Sequence, residues 1–403
     1  MIERIPRTTL LLVTMLALLG TGLLPTDPAS ATRLTPVVIS GETVATHGIF
    51  DPSVEYASVG GPGWLSYSAV YGGGTPFGPN VETHIASTDD GGATWTFEQV
   101  VSPSIPGQIT RSDGSVADGF WNREVSSLVY DPDDPGREWK LFHHTVFRSV
   151  DPAGNQSQEP AHSWIGLRTA SDPGGNWSPE RRLFGSGPLP AAPFATEIAV
   201  NALDPSLSHL LVYSEPGAFA AKGTLFVSLT GLVASGSDRI ILLASDDHGD
   251  SWRFVTTLLD GSDASALGFL SFDGTSIVEQ AGRYFLLTTP RTTRLQHDGL
   301  VVFEFADLAT GALVRDASGA PRVVAHVPVQ SGLVSPVGAG QSDYHEGNSA
   351  GGVLFSQLDL GSAPAIFQFH QSGAPLITPE PSVAGMLLLA ALVVAGRRRA
   401  SRA

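Results

Sequence analysis

The chain has 403 residues, of which 42% are hydrophobic and 15% are charged, so it is long and apolar enough to bury a substantial core. Its formal charge of −16 argues against nucleic acid or an anionic membrane surface as a partner. It contains no cysteine, so packing alone, without disulfide bonds, must stabilise the fold.

The first 31 residues have the pattern of a secretory signal peptide. Arg4 and Arg7 precede an apolar run at residues 10–19, and Ala29-Ser30-Ala31 has the form of a cleavage site. The apolar run is short for a membrane-spanning helix, which favours cleavage over an N-terminal anchor. The sequence therefore predicts export by the Sec machinery and a mature chain that begins at Thr32.

Five strand–turn–strand units follow within residues 32–376, each rich in β-branched or aromatic residues around a turn of Gly, Pro or Asp. Their paired strands are residues 53–56 and 64–70, 125–130 and 139–147, 198–203 and 209–214, 275–279 and 283–288, and 352–356 and 365–370. An acid stands at or just before each first strand, at intervals of 73 to 76 residues: Asp51, Glu124, Glu197, Asp273 and Glu346. This register predicts an all-β, five-bladed propeller, with six blades as the alternative, whose last blade is completed by residues 36–40. One such domain accommodates about 345 residues because its core is divided among the blades.

A second repeat has the form [Ser/Thr]-x-Asp-x-Gly-x-[Thr/Ser]-Trp. Residues 88–95 and 245–252 carry it in full, and residues 170–177 carry a weaker copy. The Asp can accept backbone hydrogen bonds within its own turn, the Gly permits an unusual backbone conformation, and the Trp covers the turn. The motif resembles the Asp-box of sialidases and other β-propellers. That resemblance implies hairpins in the outer halves of blades one to three, away from any active site.

The five acids of the register are predicted to surround one end of the central channel. Carboxylates that crowd together need raised pKa values or positive partners, which Arg123, His345 or a hard cation such as Ca²⁺ would supply. Two carboxylates across a sugar-sized gap can act as general acid and as base or nucleophile. Acids beside tight turns also accept backbone hydrogen bonds without any catalytic role, and that alternative stays open.

The chain resembles the five-bladed furanosidases, which include arabinanases, xylosidases, invertases and levansucrases. Carried over by position, the resemblance implies that Asp51, Glu124 and Glu197 supply the base or nucleophile, a transition-state or pKa partner, and the general acid. Glu124 stands where those families usually have Asp. A sialidase is the less favoured relative, because no Tyr–Glu nucleophile pair can be assigned. Further binding residues predicted from the register and from the polar segment at 344–348 are Arg123, Asp273, Tyr344, His345, Glu346 and Asn348.

The C-terminal segment, residues 377–403, contains Pro379-Glu380-Pro381, an apolar run at 383–395 and three arginines at 397–399. It resembles the PEP-CTERM sorting signal, which implies processing by an exosortase-type protease and sorting to the cell envelope. A plain C-terminal tail anchor is the alternative, with the arginines on the cytoplasmic side. The sequence thus predicts an exported propeller that hydrolyses or binds a poly- or oligosaccharide, the alternative being a non-catalytic binding or matrix protein.

Overall fold

The computed structural model describes residues 34–72, 80–185, 196–233, 238–293, 296–327, 341–359 and 366–377. Their strands form five sheets that correspond to the five blades of a β-propeller, as predicted. No helix within these ranges is long and apolar enough to cross a membrane. The predicted signal peptide and nearly all of the predicted sorting segment lie outside the described residues.

Each blade is a mostly antiparallel sheet whose innermost strand borders the central channel. Blade one consists, from the channel outwards, of Ile49–Tyr56, Gly63–Tyr71, Asn80–Thr88, Trp95–Ser102 and Ile39–Ser40. Blade two consists of Val116–Tyr130, Trp139–Val150, Gln156–Ala170, Arg181–Gly185 and Ile198–Ala199, with Ile105–Thr110 paired to the first half of its innermost strand.

Blades three to five are built in the same way. Blade three consists of Val212–Ala221, Thr224–Leu232, Arg239–Ser245 and Arg253–Leu259. Blade four consists of Ser271–Gln280, Arg283–Thr293, Leu300–Asp307 and Ala312–Leu313, with Gln296–His297 and Val323–Val327 added at its edges. Blade five consists of Ser342–Asp343, Leu354–Asp359, Ile366–Gln371 and Thr35–Pro36. The α-helix Gly261–Ala266 and two 3₁₀ helices, Val200–Ala202 and Pro205–Leu207, lie in connections.

The N-terminal segment closes the ring, although over fewer residues than predicted. Thr35–Pro36 pairs with the strand Ile366–Gln371 of blade five, whereas Ile39–Ser40 pairs in parallel with Trp95 and Thr96 of blade one. The predicted closing segment at 36–40 is therefore shared between the last blade and the first. This arrangement leaves blade five without an unpaired outer edge at that position.

The hydrophobic core is divided among the contacts between neighbouring blades. Phe142 and Ile165 of blade two, for example, pack in one cluster with Leu229 and Ile241 of blade three. Comparable clusters join blade three to blade four, blade five to blade one, and blade one to blade two. Each fully buried side chain of this kind contributes about 1.5–3 kcal/mol, so adjacent blades stabilise one another.

The predicted turns with the Asp–Gly–Trp pattern join the third and fourth strands of blades one to three, in the outer halves. In the first, Asp90 accepts hydrogen bonds from the backbone N–H and the hydroxyl of Thr94, at 2.9 and 2.6 Å. Asp247 bonds Ser251 in the same way, at 2.8 and 2.6 Å. The motif therefore fixes hairpin geometry far from the channel.

Two of the five predicted units are out of register. Residues 198–203 form only the two-residue strand Ile198–Ala199, at the outer edge of blade two, and then a 3₁₀ helix. The apparent turn at Asp204 starts a second 3₁₀ helix, because its carboxylate caps Ser206 N–H and Pro205 follows it. The fifth unit exists, but it forms the second and third strands of blade five, whose innermost strand is Ser342–Asp343.

Candidate active site

The innermost strands of blades one to four share one irregularity near their starts. Each has a β-bulge at which one residue has positive φ: Asp51 (54°), Val125 (50°), Glu215 (53°) and Gly274 (56°). In every case an acid occupies this position or directly precedes it: Asp51, Glu124, Glu215 and Asp273. Because a bulge re-aims the side chains beside it, the repeated irregularity brings four carboxyl groups into one electrostatic cluster.

Asp51 is the most enclosed acid of this cluster, with 2% of its surface exposed. Its Oδ1 accepts the backbone N–H of Gln341 at 3.0 Å, while Oδ2 has no hydrogen-bond partner among the described residues. Burial raises the pKa of Asp51 well above its usual range, the Gln341 bond opposes this, and the charges of Glu124 and Asp273 add to the rise. One buried carboxyl oxygen is thus left available to a ligand or a proton.

Glu215 belongs to blade three and retains partial contact with solvent. No described residue donates a hydrogen bond to its carboxyl group, although its carbonyl oxygen accepts the Thr275 hydroxyl at 2.8 Å. Burial raises the pKa of Glu215 well above its usual range, and three neighbouring carboxylates raise it further. A carboxyl group in this setting is suited to hold a proton at neutral pH and to donate it to a substrate.

Glu124 is held by positive and polar groups of the neighbouring strand. Arg148 donates to its Oε2 at 3.0 Å, and His144 Nδ1 lies 3.8 Å from Oε1. Burial lowers the pKa of His144 to about 4, so this imidazole is neutral at neutral pH. Its neighbour His143 points to the other face of the strand, towards Glu180 at 3.7 Å, as expected for consecutive residues of a strand.

Asp273 stays ionised because positive and polar groups surround its carboxylate. Arg291 bonds its Oδ2 and also reaches Asp238 at 3.2 Å, and His297 Nε2 lies 3.5 Å from the same Asp273 oxygen. Burial alone would raise the pKa of Asp273, but the Arg291 guanidinium, His297 and the Gly274 backbone N–H together outweigh it and hold that pKa well below the usual range. The fixed negative charge of Asp273 in turn raises the pKa values of Asp51 and Glu215.

Blade five contributes an amide where the other blades contribute acids. Gln341 precedes the inner strand, is 1% exposed, and donates from Nε2 to the Thr275 carbonyl at 2.7 Å and to the Pro216 carbonyl at 3.4 Å. Together with its bond to Asp51, Gln341 links blades one, three, four and five beneath the carboxyl cluster. This cross-linking holds the backbone beneath the acids rigid.

The structure corrects the prediction for Glu197. Because residue 197 precedes the outer strand of blade two rather than the inner strand of blade three, its side chain lies at the surface. It pairs with Arg181, with Oε2 at 2.5 Å from Nη2, and 43% of the side chain is exposed. Glu215 occupies the blade-three position that the sequence had assigned to Glu197.

Arg123 also lies elsewhere than predicted. Since it precedes Glu124 in the same strand, it points away from the cluster, where it donates to the Pro103 and Trp121 carbonyls and pairs with Glu180 at 3.2 Å. The counter-charges at the cluster are instead Arg148 and Arg291, both on second strands of their blades. The sequence favoured Arg123 because it is adjacent to Glu124, but the pairing of the strands determines which arginines lie beside the acids.

The segment 344–348 is remote from the acid cluster. Tyr344, His345 and Glu346 follow the inner strand of blade five and line a cavity at its other end. Asn348 is fully buried beside the blade-one turn, with Nδ2 donating to the Gly352 carbonyl at 2.6 Å and Oδ1 lying 3.4 Å from the Tyr56 hydroxyl. Asn348 therefore has a packing role, and Glu346 is not part of a five-acid ring.

Sequence inspection missed Glu215, although the chain contains a signal for it. Asp51-Pro52 and Glu215-Pro216 are the same acid–proline pair, and each begins the bulge of its inner strand. Proline has no N–H to give to the strand ladder, so within an inner strand the pair marks a bulge. The search for equal intervals favoured Glu197 over this local pattern.

The four acids do not form a compact metal site. Within the described ranges, the group of candidate ligand residues whose atoms all lie within 4.8 Å of one another is Asp131, Asp134 and His248, between blades two and three. There the buried Lys140 ammonium already lies 2.7 Å from Asp134 and 3.1 Å from Asp131. This lysine and Arg137, which lies 3.2 Å from Asp134, balance the two carboxylates, so the group is better suited to joining the blades than to holding a cation.

Comparisons with known proteins concern the fold. No protein-family model matches the chain, and no curated protein matches it. A mutant of the Bombyx mori GH32 β-fructofuranosidase BmSUC1 in complex with sucrose has a similar structure, with a TM-score of 0.50 and 13% identity over 85% of this chain and 62% of that chain. This chain thus spans less than two thirds of that enzyme.

Two further solved structures are similar to a lesser degree. Zg3597, a family 117 glycoside hydrolase of the marine bacterium Zobellia galactanivorans, has a TM-score of 0.48 and 12% identity over 87% of this chain and 92% of that chain. A thermostable family-43 glycoside hydrolase has a TM-score of 0.45 and 11% identity over 85% and 98% of the two chains. At these identities the similarity describes the propeller and not its chemistry.

Proposed function

We propose that this protein is a glycoside hydrolase whose working carboxyl pair is Asp51 and Glu215. The observation that carries the proposal is the pair itself: two enclosed carboxyl groups on blades one and three, both with raised pKa, beside two carboxylates that arginines hold in place. Glycoside hydrolysis needs one carboxyl group that gives a proton and a second that is ionised.

The hydrogen bonds favour different roles for the two acids. Asp51 receives a backbone N–H bond, which favours its ionised form, so Asp51 is the base or the nucleophile. Glu215 has no donor of this kind among the described residues and sits beside three other carboxylates, so Glu215 keeps its proton and is the general acid. Because the two titrations are coupled, the pair as a whole loses its protons in two steps.

Glu124 and Asp273 act on the pair through their charges. Arg148 and Arg291 fix their carboxylates, so the negative field at Asp51 and Glu215 is fixed as well. A negative field of this kind also stabilises the oxocarbenium-like positive charge of the transition state. The fold similarity to glycoside hydrolases supports a saccharide as the substrate; a protein that binds saccharide without cleaving it is the competing function.

The decisive experiment compares leaving groups. Wild-type protein, Asp51→Asn and Glu215→Gln are assayed against aryl furanosides and pyranosides and against soluble polysaccharides. We expect Asp51→Asn to lose about 10²–10⁴-fold in kcat on every cleaved substrate. Glu215→Gln is expected to lose as much on substrates with a sugar leaving group and far less on dinitrophenyl glycosides, whose leaving group needs no proton.

The matched control is Glu197→Gln, which removes the surface acid that pairs with Arg181. We expect unchanged activity from this variant. Proton NMR of the first-formed anomer distinguishes a base from a nucleophile at Asp51, since the product is inverted or retained accordingly. Saccharide binding without turnover over pH 4 to 9 would refute the hydrolase and favour the binding protein.

We further propose that the protein is exported and sorted to the cell envelope. The support is the sequence alone: the signal-peptide pattern of residues 1–31 and the Pro-Glu-Pro, apolar and arginine pattern of residues 377–403. Cell fractionation tests this. Deletion of residues 1–31 is expected to retain the protein in the cytoplasm, and deletion of 377–403 to release it from the membrane fraction. An unchanged distribution of both would contradict the proposal.

A further inference from the structure

A second cavity opens at the other end of the central channel, with a volume of about 290 Å³. It is lined mainly by the later parts of the inner strands of blades one to four, three to six residues beyond the acids of the first cluster, and by residues 343–346 of blade five. Examples are Glu55 after Asp51 and Glu279 after Asp273. At about 3.3 Å per strand residue, the two sites lie roughly 10–20 Å apart along the channel.

Buried cross-links separate the cavity from the carboxyl cluster. Gln341 spans blades one, three and four at the level of Asp51. One step further along the channel, Asp343 accepts the Val54 backbone N–H at 2.7 Å and also bonds the Ser276 hydroxyl. A ligand in the second cavity therefore meets a different set of side chains from one at Asp51.

The cavity lining is strongly acidic. It contains the carboxyl groups of Glu55, Asp343, Glu279 and Glu346, and no lysine or arginine is among its described lining residues. The one basic side chain, His345, is already engaged by Glu55, with Nε2 at 3.1 Å from Oε1. An anionic or strongly apolar ligand is thus disfavoured, and a cation is favoured.

Tyr344 provides the second, independent observation. Its side chain lines the cavity with only 7% of its surface exposed, and its hydroxyl has no hydrogen-bond partner among the described residues. Burial and the charge of Glu346 raise the pKa of Tyr344 to about 12, so the hydroxyl keeps its proton. The hydroxyl is therefore available as a hydrogen-bond partner for a ligand in the cavity.

The shape of the acidic lining distinguishes an organic cation from a metal ion. No three of the described cavity carboxylates bring their oxygens within 4.8 Å of one another, so they offer no compact ligand set. Apolar walls, such as Leu128, Phe219 and Ile277, lie between the carboxylates. Spaced charges with an apolar wall match an alkyl chain that bears protonated amines.

We propose that this cavity binds a small organic cation, of the class of aliphatic amines and diamines, independently of the carboxyl cluster. The ammonium groups pair with Glu279 and Glu346 at the rim, the alkyl chain packs against the apolar wall, and the Tyr344 aromatic face lies beside the cation. A cavity of about 290 Å³ is at the small end of ligand pockets, which suits a ligand of this size.

The test uses 1,4-diaminobutane as the probe and 1,4-butanediol as its neutral counterpart, measured by isothermal titration calorimetry on the full chain at low salt. We expect saturable binding of the diamine and none of the diol. Glu279→Gln and Glu346→Gln each weaken binding about tenfold or more, since each removes a charged hydrogen-bond acceptor. Tyr344→Phe removes only the hydroxyl, so it measures how much the hydroxyl contributes to diamine binding without altering the apolar wall of the cavity.

Asp51→Asn is the matched control, because the carboxyl cluster is also acidic and could attract the same probe. We expect unchanged diamine affinity in that variant. Loss of binding in Asp51→Asn, equal binding of the diol, or no saturable binding up to about 10 mM, where the net interaction is weaker than about 3 kcal/mol, would each overturn the proposal. Ca²⁺ binding that depends on Glu279 and Glu346, in the absence of diamine binding, would overturn it as well.

Discussion

Arg291→Met is the most informative single perturbation of the carboxyl cluster. Arg291 bonds both Asp273 and Asp238, and those two side chains are 9% and 7% exposed. Removing one partner of a buried ion pair costs about 3–5 kcal/mol, because an uncompensated charge is left behind. With an m value of about 3 kcal/mol per M for urea, the unfolding midpoint would fall by about 1–1.7 M at neutral pH.

The pH dependence of this loss follows from the sign of the pKa shift. In the wild type the pKa of Asp273 is depressed, so its pair stabilises the fold above the unfolded pKa and loses this contribution only as pH falls through the folded value. Without Arg291, the effect of burial is opposed less strongly, so the folded pKa of Asp273 rises in the variant. The destabilisation should therefore shrink towards low pH, by about 1.4 kcal/mol per pH unit between the folded pKa of Asp273 in the variant and its folded pKa in the wild type.

Arg283→Met is the matched control, since Arg283 lies on the same strand and also pairs with a carboxylate, that of Glu304. The Arg283–Glu304 pair is at the surface, with 47% of the arginine side chain exposed, so its loss should cost no more than about 1 kcal/mol. Urea unfolding of both variants at pH 7.5 and pH 5 tests both the size and the pH dependence of the loss in stability. Equal losses in the two variants, or a loss in Arg291→Met that is independent of pH, would refute the electrostatic account of the cluster.

Three further predictions concern titration and packing. His84 lies buried between two glutamates that raise its pKa against the opposing effect of burial. The stability difference between wild type and His84→Gln should therefore be present below about pH 6.5 and vanish as pH rises through the folded pKa. Urea unfolding over this pH range measures it. Asp273→Asn should lower the pKa of Glu215 and shift the alkaline limb of the pH–activity profile to lower pH; an unmoved limb would contradict the assigned acid. Trp252→Ala should lower the free energy of unfolding by about 3–5 kcal/mol, because Trp252 is 7% exposed. Trp177→Ala removes a partly exposed side chain and should lower it clearly less in the same denaturation assay.

The inner hairpins were predictable because their physics is local. Alternating β-branched and aromatic residues around Gly, Pro or Asp turns predicted the turn-facing parts of the first two strands of blades one, two and four, although the observed strands begin up to nine residues earlier and end up to five residues later. The repeated Asp–Gly–Trp turns are local in the same sense, since Asp90 and Asp247 bond only within their own hairpins. Blade number followed from counting such units.

The composition of the site depended on long-range pairing and was only partly predictable. Blade two has inner strands of up to 15 residues, so the true spacing is 91 residues from Glu124 to Glu215 and 58 from Glu215 to Asp273. A search for equal intervals therefore led to Glu197. Arg148 and Arg291 could not be assigned from sequence either, because only the register of the second strands places them beside Glu124 and Asp273.

The cluster carries costs that a purely structural role does not require. Asp51 and Glu215 both occupy a positive-φ conformation that costs a side-chain-bearing residue about 1–2 kcal/mol, and glycine would occupy it without that cost. Their carboxyl groups also repel two fixed negative charges, which raises their pKa values instead of stabilising the fold. If these acids served only to bond backbone N–H groups, their pKa values would be depressed, as Asp90 and Asp247 show in their turns, where the value is about 2. Backbone strain together with raised pKa values is the combination expected of groups that transfer protons, and it separates the acids of the channel from the acids of the turns in the same chain.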